Sequence, residues 1–250
     1  MKFLPAFLAL LAAVPLRAAD ATPLHVSAAT SLHEALTELQ TLYAQQRPEV
    51  AVALTFTGSG AIQREIEKGA DIDVFISASA KEIFALEKKD LLLRDSIRNI
   101  AGNTLVLIVP KTDTVVHSFA DLAKPEVRRI AIGEPRTVAV GTYTAETFAF
   151  LKLTAALAPK LVNAPGVQEV VAQVGAGEAQ AGVVYETDAR RSEKIRVAAK
   201  AEAGWHQAIL YPSGIPKLSK QKAAAREFTA FLTSPAARTV FDKHGFLPPP

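Results

Sequence analysis

The spacing of apolar residues switches back and forth along this chain between two periods, and that switching restricts its fold more than any single motif. Residues 24–28 read as a short strand. Leu32, Ala35, Leu36, Leu39, Leu42 and Tyr43 then recur at helical spacing, up to Arg47-Pro48. Strand side chains alternate between two faces, whereas helical ones return about every 3.6 residues, so the two patterns are separable. Val50, Val52, Leu54 and Phe56 alternate again. A Gly58-Ser59-Gly60 turn leads into a helix over 61–68, with Gly69 as its stop. A strand over 74–77, a helix over 81–89 and a strand over 105–109, ended by Pro110, follow. The second half alternates in the same way. It has a strand at 130–132, a loop with Gly133, Pro135 and Gly141, a helix over 145–156, a helical stripe of Val167, Val170, Val171 and Val174, and a strand over 181–185. Two helices, 223–232 and 236–243, parted by Ser234-Pro235, come near the end. Alternation of this kind predicts α/β lobes with mostly parallel sheets and helices on both faces. With no internal repeat and no low-complexity linker, two lobes would be joined by ordinary strands or short crossovers.

The beginning of the chain reads as an export signal. Lys2 is followed by an apolar stretch over 3–14, too short to span a bilayer as a helix, and Ala19-Asp20-Ala21 fits the small-x-small cleavage rule. There is no cysteine. That excludes a disulfide framework, a thiolate metal site, a Cys nucleophile and a lipid-modified cysteine anchor. The expected location is therefore periplasmic and not lipid-anchored. Without residues 1–21, which hold Lys2, Arg17 and Asp20, 26 Lys and Arg face 24 Asp and Glu. A balance this mild, with no basic run, gives no reason to expect nucleic acid or an anionic membrane as partner.

A chain without a basic surface can still hold an anion at helix starts, whose backbone N–H groups lack intrahelical partners and whose dipole favours negative charge. Two such starts come early: Ala28-Ala29-Thr30-Ser31-Leu32 and Thr57-Gly58-Ser59-Gly60-Ala61. Ser31 and Glu34 also have the spacing of a capping box, so Ser31 taken alone reads first as a plain N-cap. The second start lacks the Lys of a phosphate-binding P-loop, and Thr57 replaces the first Gly of a nucleophile elbow. Two starts at C-terminal ends of strands sit where open α/β sheets bind ligands. The Gly133–Gly141 loop, Gly166-Val167 and Tyr185, at the end of an apolar strand, are further candidates. Enzyme parts are thin. None of His25, His33, His117, His206 and His244 is paired at metal-ligand spacing, and Asp71 and Asp73 read as turn residues.

These segments, in this order, resemble the periplasmic molybdate-binding proteins of ABC transporters. The likeness rests on Ala29-Thr30-Ser31-Leu32, Phe56-Thr57-Gly58-Ser59-Gly60, Gly69–Ala78, Gly102–Leu107, Gly133-Glu134-Pro135, Leu157–Leu161 and Val183–Ala189. It implies a type II binding-protein fold of two α/β lobes, the first from residues 22–101 plus 200–250 and the second from 102–199, closing on the anion. It implies hydroxyl and N–H donors at Ser31 and Ser59, backbone N–H donors at Val140 and Val167, and a phenol donor at Tyr185. Ala139-Val140-Gly141 stands where the family often has Pro-Ala-Gly. The resemblance further implies molybdate or tungstate as ligand, with no cofactor, no metal held except as its oxyanion, a membrane permease as partner, a monomer, and no catalysis. A fully deprotonated dianion only accepts hydrogen bonds, which suits a donor set with no Asp or Glu in it. The same fold holding sulfate or a small organic anion is the nearest rival, and a secreted serine hydrolase using Ser59 a more distant one.

Overall fold

The computed structural model describes residues 21–249; of the export signal read over 1–21, all but Ala21 lies outside them. Strands β1 (Thr22–Ala29), β2 (Val50–Thr57), β3 (Val74–Ile76) and β4 (Arg98–Gly102) come first, with helices α1 (His33–Gln46), α2 (Ser59–Glu67) and α3 (Ala80–Lys88) among them. The chain continues through β5 (Leu105–Pro110), β6 (Ile130–Gly133), α4 (Ala139–Phe150), the single turn α5 (Thr154–Leu157), β7 (Leu161–Ala164), α6 (Val167–Gly175), β8 (Ala181–Tyr185), the single turn α7 (Glu186–Ala189) and β9 (Ile195–Lys200). It finishes with β10 (Leu210–Gly214), α8 (Lys222–Phe231) and α9 (Pro235–Lys243). No helix among the described residues is long and apolar enough to cross a membrane.

The strands form two five-stranded sheets, in the orders β2-β1-β3-β10-β4 and β7-β6-β8-β5-β9. In each sheet all strands but one run the same way; the reversed strands are β10 and β5. The chain crosses between sheets at 103–104 and again at 201–209, and the strand that follows each crossing is the reversed one. The first crossing is tied down. Buried Asn103 donates its Nδ2 to Thr187 Oγ1 in α7 and to the Tyr211 hydroxyl in β10, each at 3.0 Å, and accepts from the Thr104 N–H. One side chain thus ties β10 of the first sheet to α7, the turn that follows β8 of the second.

Local chemistry explains most of the elements. The apolar stripe of α1 buries Ala35, Leu36, Leu39 and Tyr43, and the Tyr43 ring packs on Phe228 and Phe231 of α8 with centroids 5.1 and 5.0 Å away. Full burial of an apolar side chain such as Leu36 or Leu39 contributes roughly 1.5–3 kcal/mol. Gly69, at φ +82°, ends α2 in the left-handed conformation, and the Ala70 N–H closes back on Glu65 O. Asp73 accepts from the His25 N–H and the Ser219 hydroxyl, the structural turn role read for it.

Two sequence readings are corrected. The helix placed at 145–156 begins six residues earlier, at Ala139, so Val140 and Gly141 lie in its first turn rather than in a loop. Gly141 is there because the helix start presses on the end of β6: a Cβ on it would lie 2.1 Å from the Gly133 carbonyl oxygen. Strands β4, β7, β9 and β10 have no counterpart in the sequence reading. The central strand β10 contains Pro212, tolerated because the register against β4 shifts at Tyr211/Pro212.

Candidate functional site

A cavity of about 440 Å³ opens where the C-terminal ends of β1 and β8 and the starts of α4 and α6 converge. Its lining takes Ser31 from the first sheet's side and Val140, Val167 and Tyr185 from the second, so four of the five sequence-predicted residues share one cavity. The fifth, Ser59, is not among the lining residues but is hydrogen-bonded to one of them. It is the first residue of α2, and its Oγ accepts from the N–H of Ala78, which lines the cavity. As an acceptor there, the Ser59 hydroxyl keeps its own proton free to donate.

The backbone offers what the helix-start argument required. The N–H groups of Ser31, Ser59, Val140 and Val167 donate to no backbone carbonyl among the described residues, as expected of first-turn positions. Ser31 is not an N-cap. It lies in a short 3-10 turn, Thr30–Leu32, ahead of α1; Leu32 caps α1 without a side-chain bond, and the capping box with Glu34 does not form. The bulk of Val140 is no obstacle, since its side chain is buried against Gly133 at the end of β6.

The side-chain hydroxyls carry the sharper signal. Ser31 Oγ and Tyr185 Oη are both shut off from solvent and have no hydrogen-bond partner. The Ser31 hydroxyl lies close enough to Tyr211 to favour that residue's phenolate, yet outside hydrogen-bond geometry. Burying a hydroxyl unpaired costs about 1–3 kcal/mol, and native structures rarely leave one so without a use. Burial also holds the Tyr185 phenol well above its ordinary range, reinforced by the neighbouring Tyr211 and Tyr143 and by Asp188, so the group is a neutral donor. No group of three or more His, Asp or Glu capable of holding a bare metal ion occurs among the described residues.

Ala78, Glu169, Asp188 and Arg191 also line the cavity and were not singled out from the sequence. Arg191 brings a formal positive charge; its guanidinium reaches across to Glu34 at 3.6 Å and to the Ser31 carbonyl at 3.5 Å. The Glu169 carboxylate folds over the start of α6, where a Cβ on Gly166 would come within 2.7 Å of it. Two acids, Glu169 and Asp188, thus stand in the wall beside the donors that the sequence names. Asp188 follows Tyr185 by three residues, so the one-turn helix α7 brings both to the cavity, a spacing visible in the sequence once the helix is known. The hydrolase reading finds no support in the geometry, since among the described residues no histidine hydrogen-bonds to the Ser59 hydroxyl, whose partner is the Ala78 N–H.

Two mixed α/β sheets joined by paired strand crossings, with helix starts and hydroxyls from both meeting in one cavity, define a two-lobed solute-binding protein of the type II arrangement. The chain matches the bacterial extracellular solute-binding protein family over residues 24–247 and belongs to it, a family of binding proteins rather than enzymes. Among its relatives are the ABC transporter substrate-binding lipoprotein YvgL of Bacillus subtilis, 38% identical over 89% of this chain and 85% of that one, and the molybdate-binding protein ModA of Haemophilus influenzae, 34% identical over 88% of each. Among solved structures, the substrate-binding domain of a molybdenum ABC transporter from Clostridium difficile superposes with a TM-score of 0.86 at 36% identity, covering 92% of this chain and all of that one.

Proposed function

We propose that this protein captures molybdate, and tungstate by the same chemistry, in the periplasm and delivers it as a monomer to the membrane permease of an ABC transporter. Ser31, Ser59 and Tyr185 supply hydroxyl donors, and Ser31, Ser59, Val140 and Val167 supply N–H donors. The observation that carries this reading is the pair of buried, unpartnered hydroxyls, Ser31 and Tyr185, brought to one cavity from opposite sheets. An acceptor-only dianion satisfies both at once, together with the free helix-start N–H groups. The relatives named for molybdate and molybdenum support that choice of oxyanion.

The mechanism is capture and closure. Residues 22–101 with 200–250 form one lobe and 102–199 the other, and an anion bonded to both favours the closed arrangement over the open one by its differential affinity. The permease reads the closed arrangement. The Bacillus subtilis relative is named a lipoprotein, and a lipid tether of that kind is attached through cysteine, which this sequence lacks.

Thermal unfolding with molybdate, tungstate, sulfate and phosphate added separately tests the reading. A ligand at a hundred times its dissociation constant adds about 2.7 kcal/mol, a rise of roughly 5–10 °C in midpoint for a chain of this size. A rise with molybdate and tungstate alone is the expected result. A rise with sulfate alone changes the ligand, and no rise with any of the four overturns the oxyanion reading.

A further inference from the structure

The most unusual polar group in the cavity wall is one that a dianion site has no evident use for. Asp188 is 8% exposed, its Oδ2 is shielded from solvent, and that oxygen has no hydrogen-bond partner. It lines the same cavity as Ser31 and Tyr185. After burial, its charge is one of the lesser influences that raise the Tyr185 and Tyr211 phenols. An ionised carboxylate at that place would repel a dianion and leave its own lone pairs unsatisfied.

Resting on the oxyanion reading above, we propose that Asp188 couples ligand binding in the cleft to a proton: it takes up one proton from solvent when a fully deprotonated oxyanion binds, and as the neutral acid it adds an O–H donor to the site. The balance is simple. The free protein carries the carboxylate and the ligand is a dianion. The complex carries the carboxylic acid and the same dianion, with the proton drawn from water or buffer. The orphaned oxygen then has a partner, and the buried side chains at the site, Ser31, Tyr185 and Asp188, are all donors.

The surroundings of Asp188 favour the acid. Burial pushes its carboxyl up to about 6, and Arg191 opposes this more weakly. The other elements packed on α7 offer little to hold a charge there. β5 carries no titratable side chain, and β8 offers the neutral Tyr185. On β9, Lys200 is bound to Glu186 at 2.7 Å and Arg196 to Asp113 at 3.4 Å. α6 contributes Glu169, a like charge at the same cavity. Arg190 pairs with Glu186, and Lys243 and His244, which line the adjoining cavity beside Arg190 and Arg191, pair with Glu38. A bound dianion adds negative charge beside Asp188 and drives it further toward the acid.

The coupling has a measurable slope. Above the free protein's midpoint each pH unit costs about tenfold in affinity, so the dissociation constant for molybdate rises on the order of 50-fold from pH 6 to pH 8. Titration calorimetry of the exported protein with molybdate, in buffers of different ionisation enthalpy, reads both the affinity and the number of protons taken up. The expected result is uptake approaching one proton at pH 8 in the wild type. Asp188→Asn should bind with a pH-independent constant and no uptake, every other titratable group of the cleft remaining in place. Should the variant fail to fold, the wild-type proton count decides alone. Molybdate binding that is flat with pH and takes up no proton overturns the role of Asp188 while the oxyanion function stands. No molybdate binding at any pH overturns that function and this inference with it.

Discussion

Replacing Tyr185 by Phe should move two observables in opposite directions. The phenol oxygen is buried, without a hydrogen-bond partner, at the end of β8, so in the empty protein it carries a desolvation cost of about 1–3 kcal/mol with nothing in return. Phe keeps the ring and its contact with Tyr143, 6.4 Å away between centroids, and removes only the oxygen. The ligand-free variant should therefore be as stable as the wild type or more so, by up to roughly 2 kcal/mol, a midpoint rise of about 4–8 °C. Molybdate affinity should fall, because the variant loses a hydrogen bond to a charged ligand worth about 1.5–3 kcal/mol, or roughly 10–150-fold. Scanning calorimetry without ligand and titration calorimetry with it supply the two numbers. A variant that loses ligand-free stability and keeps its affinity would show the hydroxyl to be a structural group, and the central argument for the site would fail.

Other perturbations separate the remaining parts. Ser59→Ala should weaken molybdate binding by about 1.5–3 kcal/mol; unchanged affinity by titration calorimetry would remove Ser59, which already serves Ala78, from the donor set. Asn103→Ala removes both Nδ2 bonds across the crossing and leaves buried partners unpaired, for a loss of about 3 kcal/mol and a fall of roughly 6–12 °C in midpoint; a fall below 2 °C, about 1 kcal/mol or less, would mean that the crossing does not depend on it. Asp188 also makes the empty protein's stability depend on pH. Its folded value of about 6 exceeds the usual carboxylate value of about 4, so the native state binds more protons than the unfolded one between those limits, and stability falls as pH rises through that window, by about 3 kcal/mol in all. Asp188→Asn should therefore stabilise the ligand-free protein at pH 8 and not at pH 4, which unfolding midpoints at the two pH values would show or deny.

The sequence carried the fold where local pattern and tertiary environment agree. The stripe of α1, the alternation of β2 and the glycine stop of α2 are written in side-chain spacing, and the structure uses them as written. The strands that escaped notice are of another kind. β4 and β10 lie on either side of the crossings, and β10 holds Pro212 and Gly214 in a central strand. Its pairing with β3 and β4 joins segments more than a hundred residues apart, and no local periodicity reports such a contact. The start of α4 was hidden for a related reason, since Gly141 reads as a loop residue until β6 is known to lie against it.

The site divides along the same line. Helix starts after strands announce backbone donors, because the chain must change period there and its first N–H groups are left over. What spacing cannot announce is a cost. That Ser31 has no capping partner, that the Tyr185 hydroxyl is sealed without an acceptor, and that Asp188 lies buried beside them are facts of packing between two sheets, and each is unfavourable in the empty protein. A sequence optimised only for stability would replace all three with apolar side chains. Their convergence on one cavity makes ligand binding the simplest reason for keeping them, because a single acceptor-rich dianion, together with one proton, satisfies every one.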